Sequence, residues 1–273
     1  MPELPEVETV CRGLSKDLLM LEVLKVTTFN NKLRYAIADD IEKCLINKKV
    51  KTIIRRGKNG IIVFSGKYNL HFHLGMTGKF LITTPAYRRK KHDHISILFD
   101  NNILLIYNDI RKFGYLELIE KPLDIVDFKG IGLEPFFCKP FEKELLFKIN
   151  KKERSIKNIL LDQNYICGIG NIYASEVLFR SKISPFKLGK DIDEEEFNQL
   201  LDSINYILKE AIKKGGSSIK NYKKINEGLG YFQTKFKVYN KEGLPCQECE
   251  GLISKTKQSG RSTFYCKNCQ IIN

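Results

Sequence analysis

The distribution of apolar residues changes character twice along the chain. Near the start, Val7, Val10, Cys11, Leu14 and Leu18 recur at helical spacing and Pro5 suits a first helical position, which predicts an amphipathic helix. From residue 21 to residue 119 that period is lost. Short β-branched runs replace it, at Val23 to Thr28, Val50 to Ile54, Ile61 to Ser65, Phe80 to Thr84, His94 to Phe99 and Ile103 to Tyr107. Turn signals such as Lys58-Asn59-Gly60 and Asp100-Asn101-Asn102 separate them, and strands this short and regularly spaced predict a β-sandwich or barrel. The stretch from Lys121 to Pro140, with Pro122, Gly130, Gly132 and Pro135, reads as a linker.

Beyond it the pattern is helical. Glu142 to Ile149 forms one short helix, Ser155 caps a second, and a third follows the Gly168-Ile169-Gly170-Asn171 turn. A fourth starts at Asp193, carries Phe197, Leu200, Leu201, Ile204, Ile207, Leu208 and Ala211 on one face, and closes at Lys213-Lys214-Gly215-Gly216. Residues 215 to 237 are polar and basic, either a solvated linker or a flap that orders on substrate.

Charge narrows the class. The 273 residues carry 46 Lys+Arg against 32 Asp+Glu, a formal net charge of +14. Such a balance points to a polyanion, with nucleic acid ahead of an anionic membrane surface. No apolar run approaches the roughly 18 residues of a membrane span, and an N-terminus bearing Glu3, Glu6 and Glu8 is unlike a secretion signal, so the expected location is cytoplasmic.

Several segments carry candidate chemistry. Trimming Met1 would leave Pro2 as a free secondary amine, partly unprotonated near neutrality because an α-amino group titrates at roughly pH 8, and able to form a Schiff base. Glu3 adjoins it, while Glu6 and Glu8 are expected to serve the helix N-terminus. Arg55-Arg56-Gly57-Lys58 reads as a basic, flexible segment suited to a solvated turn or to phosphate contact. Two further segments do not read as plain strand: His71-Phe72-His73-Leu74-Gly75-Met76-Thr77-Gly78 and Asn108-Asp109-Ile110-Arg111-Lys112-Phe113-Gly114. Met76 and Phe113 lie in loops beside glycines, as core residues or as wedges for a base stack. The pairs His71/His73 and His92/His94 fit hydrogen bonds to phosphate or backbone better than a metal, because Arg88 to Lys91 would repel a cation. The glycine turn before Asn171 leaves a helix N-terminus open to phosphate.

The last segment is the most specific. Cys246-x-x-Cys249 and Cys266-x-x-Cys269, sixteen residues apart, have the spacing of a four-thiolate zinc site, with two disulfides as the alternative. Four protein ligands make such a zinc structural, and Arg261 falls near the tip of the hairpin between the knuckles.

Taken in order, Pro2-Glu3-Leu4-Pro5-Glu6, Arg56-Gly57-Lys58, His73 to Gly78, Lys91-His92-Asp93-His94, Arg111-Lys112-Phe113-Gly114, Gly168 to Tyr173 and the four cysteines resemble the bacterial formamidopyrimidine-DNA glycosylases from end to end. The resemblance implies an α+β multidomain protein: an N-terminal β-sandwich with a leading helix at 1–133, a helix-two-turn-helix domain at 134–236 and a zinc finger at 237–273. It implies excision of oxidised purines from double-stranded DNA by base flipping, followed by strand cleavage, by a monomer. By position, Pro2 becomes the nucleophile, Glu3 the acid that opens the sugar, Lys58 the group for β-elimination and Arg261 that for δ-elimination. Met76, Arg111 and Phe113 would fill the gap left by the flipped nucleotide, while His73, His92, Lys152 and Asn171 would hold DNA. One departure is Ile110, where the family usually has proline, which removes a fixed φ from the loop. The rivals are an endonuclease VIII-like glycosylase for oxidised pyrimidines, disfavoured by Leu4 with Met76, Arg111 and Phe113, and a non-catalytic DNA-binding protein, disfavoured by the retention of Pro2 and Glu3.

Overall fold

The structure is a computed structural model that describes residues 1–120, 130–217, 222–223 and 235–271. The chain divides into two compact units, Met1–Phe128 with Gly215–Gly230, and Lys129–Lys214 with Tyr231–Asn273. Most of the basic 215–237 stretch and part of the 121–140 linker lie outside the described residues.

The first unit opens with α1 (Leu4–Leu18), one residue earlier than proline placement suggests, because Glu3 supplies the cap and Pro5 sits within the first turn. Its apolar face is buried at Val7, Val10, Cys11, Leu14 and Leu18, as the spacing predicts. Strand β1 (Val23–Thr28) and the short α2 (Ile41–Leu45) follow, then β2 (Val50–Arg56), β3 (Asn59–Phe64), β4 (Tyr68–His73), β5 (Lys79–Thr83), β6 (Asp93–Phe99), β7 (Leu104–Asn108) and β8 (Tyr115–Glu120). One sheet has the order β2-β3-β4-β8; the other is β1-β6-β7-β5, extended by the two-residue β9 (Tyr222–Lys223). Residues of both sheets and of α1, among them Val10, Leu14, Ile62, Phe72, Phe80, Ile97 and Phe99, form one buried core. That is the predicted β-sandwich with a leading helix.

Two local readings are corrected. The turn expected at Lys58-Asn59-Gly60 is instead Gly57-Lys58, because Arg56 pairs with Asn59 and Gly57 takes the left-handed φ of +56° that the first position of a tight hairpin needs. Gly60 belongs to β3, where a Cβ would lie 2.0 Å from the Phe72 ring. His71 and His73, set apart from plain strand above, end β4. The five-residue α2 has no counterpart in the apolar pattern, being too short to show a period.

In the second unit, α3 (Glu142–Asn150), α4 (Ile156–Leu161), α5 (Asn171–Arg180) and α6 (Glu194–Lys213) fall where the pattern predicts. Ser155 Oγ accepts the Asn158 N–H, and Asp193 with Glu196 forms a capping box. Strands β10 (Ile253–Gln258) and β11 (Arg261–Cys266) make a hairpin whose Gln258 pairs with Arg261. Its core takes in Phe179 of α5 with Val238, Ile253 and Phe264. The Glu176 carboxylate, buried in α5, accepts the N–H groups of Lys237, Val238 and Tyr239 and so fixes the strand of chain entering the finger.

Phe72 is fully buried with its ring edge-on to Phe80 at 4.9 Å, so Gly60→Ala should cost about 1–3 kcal/mol by overpacking. A lowered urea midpoint checks this; a midpoint equal to wild type would contradict the close approach.

Candidate active site and metal centre

The site in the first unit is built from the chain start. Pro2 and Glu3 are buried rather than frayed. The Glu3 N–H donates to Glu6 Oε2 at 2.8 Å, and the other carboxylate oxygen of Glu6 accepts both the Ser217 N–H at 2.7 Å and the Ser217 hydroxyl at 2.9 Å. Glu6 therefore serves the helix N-terminus, as expected, and also anchors residue 217. Glu8 does something else: it pairs with Arg55 at 2.7 Å and with Arg12 at 2.7 Å. Burial pushes the Glu8 carboxyl up, but hydrogen bonds and charge from Arg55 and Arg12 outweigh it and leave it below the usual carboxylate range.

That pair overturns the reading of Arg55 to Lys58 as flexible. Arg55 is held by Glu8 and by its own bond to the Gly57 carbonyl, and Arg56 and Lys58 are buried to 7% and 8% exposure. Asn59 braces the turn, donating to the Arg56 carbonyl at 3.3 Å while its Oδ1 takes the Tyr115 hydroxyl at 3.1 Å and faces His71 Nε2 at 3.1 Å. Lys58 is thus presented from a rigid hairpin.

His73 stacks on Tyr115, with centroids 5.5 Å apart and planes at 11°, and its Nδ1 accepts the Gly75 N–H at 3.0 Å. Burial, helped by the charges of Lys58, Arg34 and His71, pushes its pKa down to about 4. The ring is therefore neutral at physiological pH with the proton on Nε2, a donor suited to phosphate. A cavity of about 570 Å³ has Met1, Arg34, His73, Met76, Lys112 and Phe113 in its lining. It opens beside the chain start. Met76 and Phe113 are 41% and 47% exposed, which separates them from core residues. Arg111 lies over the Phe113 ring at 4.7 Å. His92 is half-buried at the entrance to β6.

In the second unit, Asn171 opens α5 after the glycine turn. Its Nδ2 donates to the Ser262 carbonyl at 2.9 Å, and its Oδ1 is buried without a hydrogen-bond partner among the described residues. Arg261 is exposed at the start of β11, and Lys152 is half-buried just past α3. Sequence reasoning missed Lys157: its ammonium is buried on α4 and donates to the Ser262 carbonyl at 3.0 Å and to Thr263 Oγ1 at 2.7 Å. These bonds tie α4 to the strand that bears Arg261. The contacts span 105 and 106 residues, so no local pattern announces them. Arg34, Tyr115 and Asp109 were missed for the same reason.

The four finger cysteines converge. Their Sγ atoms lie within 4.8 Å of one another, with Cys246 to Cys269 at 3.9 Å and Cys249 to Cys266 at 3.4 Å. Thiolates about 2.3 Å from a tetrahedral ion would sit about 3.8 Å apart. The separations are far beyond the roughly 2.05 Å of a disulfide, and all eight cysteines are free, which removes the disulfide alternative. The donor set fits a structural metal.

The first unit thus presents a buried chain start on a β-sandwich, and the second carries a helical segment and a four-thiolate finger. Family models described as the formamidopyrimidine-DNA glycosylase N-terminal domain, its H2TH domain, and a zinc finger found in FPG and IleRS match residues 1–116, 131–223 and 243–271. A formamidopyrimidine-DNA glycosylase of Rickettsia bellii is 41% identical over 276 residues, covering 99% of each chain. Among solved structures, the Lactococcus lactis Fpg bound to abasic-site DNA is similar with a TM-score of 0.90 and 38% identity, over 99% of this chain and 100% of that one. A MutM bound to DNA containing carbocyclic 8-oxo-G gives a TM-score of 0.90 and 39% identity, over 98% and 99%. The chain belongs to the formamidopyrimidine-DNA glycosylase family.

Burial, then the charge of Arg261, brings Lys157 from the ordinary 10.5 down to about 8. Between those values the unfolded chain binds more protons than the folded one, so this group's destabilising effect is full below pH 8 and is relieved as pH rises toward 10.5. Denaturant midpoints taken across that window should rise more in wild type than in Lys157→Met; parallel curves would contradict the depressed value.

Proposed function

We propose that this chain removes oxidised purines, 8-oxoguanine and formamidopyrimidines, from double-stranded DNA and then cleaves the abasic strand. The observation that carries the reading is the buried Pro2-Glu3 start, held by Glu6 beside a cavity that His73 and Met76 line. Trimmed of Met1, the Pro2 secondary amine attacks the sugar C1′, the base departs with the bonding pair, and the proton shed by the amine passes to the departing base. Glu3 delivers a proton to the ring oxygen, and opening the sugar leaves an iminium between Pro2 and C1′. The iminium is cationic without further protonation, so it withdraws electrons and acidifies the C2′ proton. Loss of that proton expels the 3′ phosphate in β-elimination, and a second elimination expels the 5′ phosphate. Lys58 serves the first elimination and Arg261 the second.

Duplex opening falls to Met76, Arg111 and Phe113, which fill the gap as the damaged nucleotide leaves the stack. His73, His92, Lys152 and Asn171 grip the backbone. The net charge of +14 supports a polyanionic partner. The chain acts as a monomer in the cytoplasm, with 1–133 as the catalytic sandwich, 134–236 as the helix-two-turn-helix domain and 237–273 as the finger. One zinc, held by Cys246, Cys249, Cys266 and Cys269, orders the hairpin that bears Arg261.

Excision of 8-oxoguanine opposite cytosine should exceed excision of thymine glycol, and the reverse preference would replace this reading with the pyrimidine-specific one. Glu3→Gln should lower base excision on the order of a hundredfold, the scale of a lost general acid, while still cleaving a preformed abasic site. Elemental analysis should return one zinc per chain, and chelation should abolish DNA binding; unchanged affinity after verified metal loss would remove the finger from the account.

A further inference from the structure

The two exposed loops that bear Met76 and the Arg111–Phe113 pair meet at one buried side chain with no assigned part in the chemistry. Asp109 has 0% exposure. Its Oδ1 accepts the Thr77 hydroxyl and, at 3.2 Å, the Arg111 N–H; its Oδ2 accepts the Gly114 N–H at 2.9 Å. Thr77 Oγ1 takes the same Arg111 N–H at 3.0 Å, closing a ring of bonds between the loops. The backbone joins in: the Asp109 N–H donates to the His92 carbonyl at 3.1 Å, and the Asp109 carbonyl accepts His94 Nε2 at 2.8 Å.

Close packing reinforces the junction. A Cβ on Gly75 would meet the backbone of Phe113 and Gly114 at 2.4 Å, so only glycine lets the loops touch. Lys112, between the two wedge residues, is held at a φ of +57°, in the left-handed region that side chains other than glycine rarely adopt. The N–H groups on either side of it, those of Arg111 and Gly114, are the ones Asp109 binds. Ile110, 57% exposed, contributes no ring constraint where a proline would.

We propose that Asp109 is a positioning residue that holds Met76, Arg111, Phe113 and His92 as one preorganised wedge. The inference rests on the base-extrusion reading above. A wedge already ordered before contact loses no further backbone freedom on insertion, whereas a floppy loop must be ordered at the moment the bases unstack. Asp109 touches no reacting atom. Its effect should therefore appear in duplex opening and in recognition of the opposite base, not in the chemistry at C1′.

The test compares wild type, Asp109→Asn and the milder Thr77→Val, which breaks only the hydroxyl link and so guards against a variant that fails to fold. Fluorescence of 2-aminopurine placed opposite an abasic-site analogue reads unstacking directly, whether or not excision occurs. Both variants should show a smaller fluorescence rise, and where wild type excises 8-oxoguanine, a kcat/KM on duplex lowered by about tenfold or more with weaker discrimination between cytosine and adenine opposite the lesion. Borohydride trapping on single-stranded abasic DNA, which needs no wedge, should stay within about twofold of wild type. Wild-type fluorescence and wild-type opposite-base discrimination in both variants would overturn the proposal, as would equal losses on single- and double-stranded DNA. Absence of excision by the wild-type protein would instead count against the glycosylase reading, and the fluorescence comparison would still decide the role of Asp109.

Discussion

The carboxylate of Glu6 is the constraint on which the first unit's chemistry depends. A chain start is ordinarily among the most mobile parts of a domain, and a nucleophile placed there would have to be found afresh at each encounter. Here one Glu6 oxygen binds the Glu3 N–H and the other binds both donors of Ser217, so the start of the chain and a residue 211 positions away share one anchor. The helix beyond drives its apolar face into the sandwich core, which removes the remaining freedom. Gly215 and Gly216 take φ values of +74° and +79°, and a Cβ on Gly216 would lie 2.8 Å from Glu6 Oε1, so the glycine pair is what admits residue 217 to the carboxylate.

Rigid support of candidate functional side chains recurs around the site. Lys58 rides a hairpin braced by Asn59, and Met76 and Phe113 project from loops tied to Asp109. In a chain with an excess of positive charge, His73 is kept neutral by burial and by the cations around it, so its Nε2–H is available to donate a hydrogen bond without adding to their repulsion. On the finger side, Lys157 buries an ammonium against a carbonyl and a hydroxyl and so fixes the strand of Arg261.

What was legible in the sequence is what local spacing encodes. The cysteine knuckles, the cap at Ser155, the helix start at Asp193 and the apolar stripe of α1 each lie within a few turns of chain, and each appears where the pattern puts it. The turn at Gly57-Lys58 was placed too late, at Lys58-Asn59-Gly60, because Asn-Gly is a strong turn signal in isolation; only the Phe72 ring over Gly60 shows why that glycine belongs in a strand. Arg55 to Lys58 looked mobile because its restraint, Glu8, stands 47 residues before Arg55. Asp109 and Thr77, 32 residues apart, and Glu6 with Ser217 are invisible to any periodicity, since side-chain hydrogen bonds across the fold leave no mark on spacing.

The central claim is that the chain's own N-terminal amine carries the reaction, and covalent capture tests it most directly. Borohydride reduction of the protein on abasic-site DNA, followed by mass spectrometry of the N-terminal peptide, should yield a chain lacking Met1 with the sugar remnant on the nitrogen of Pro2. An adduct on a lysine, or no adduct on protein shown to bind that DNA, would contradict the account.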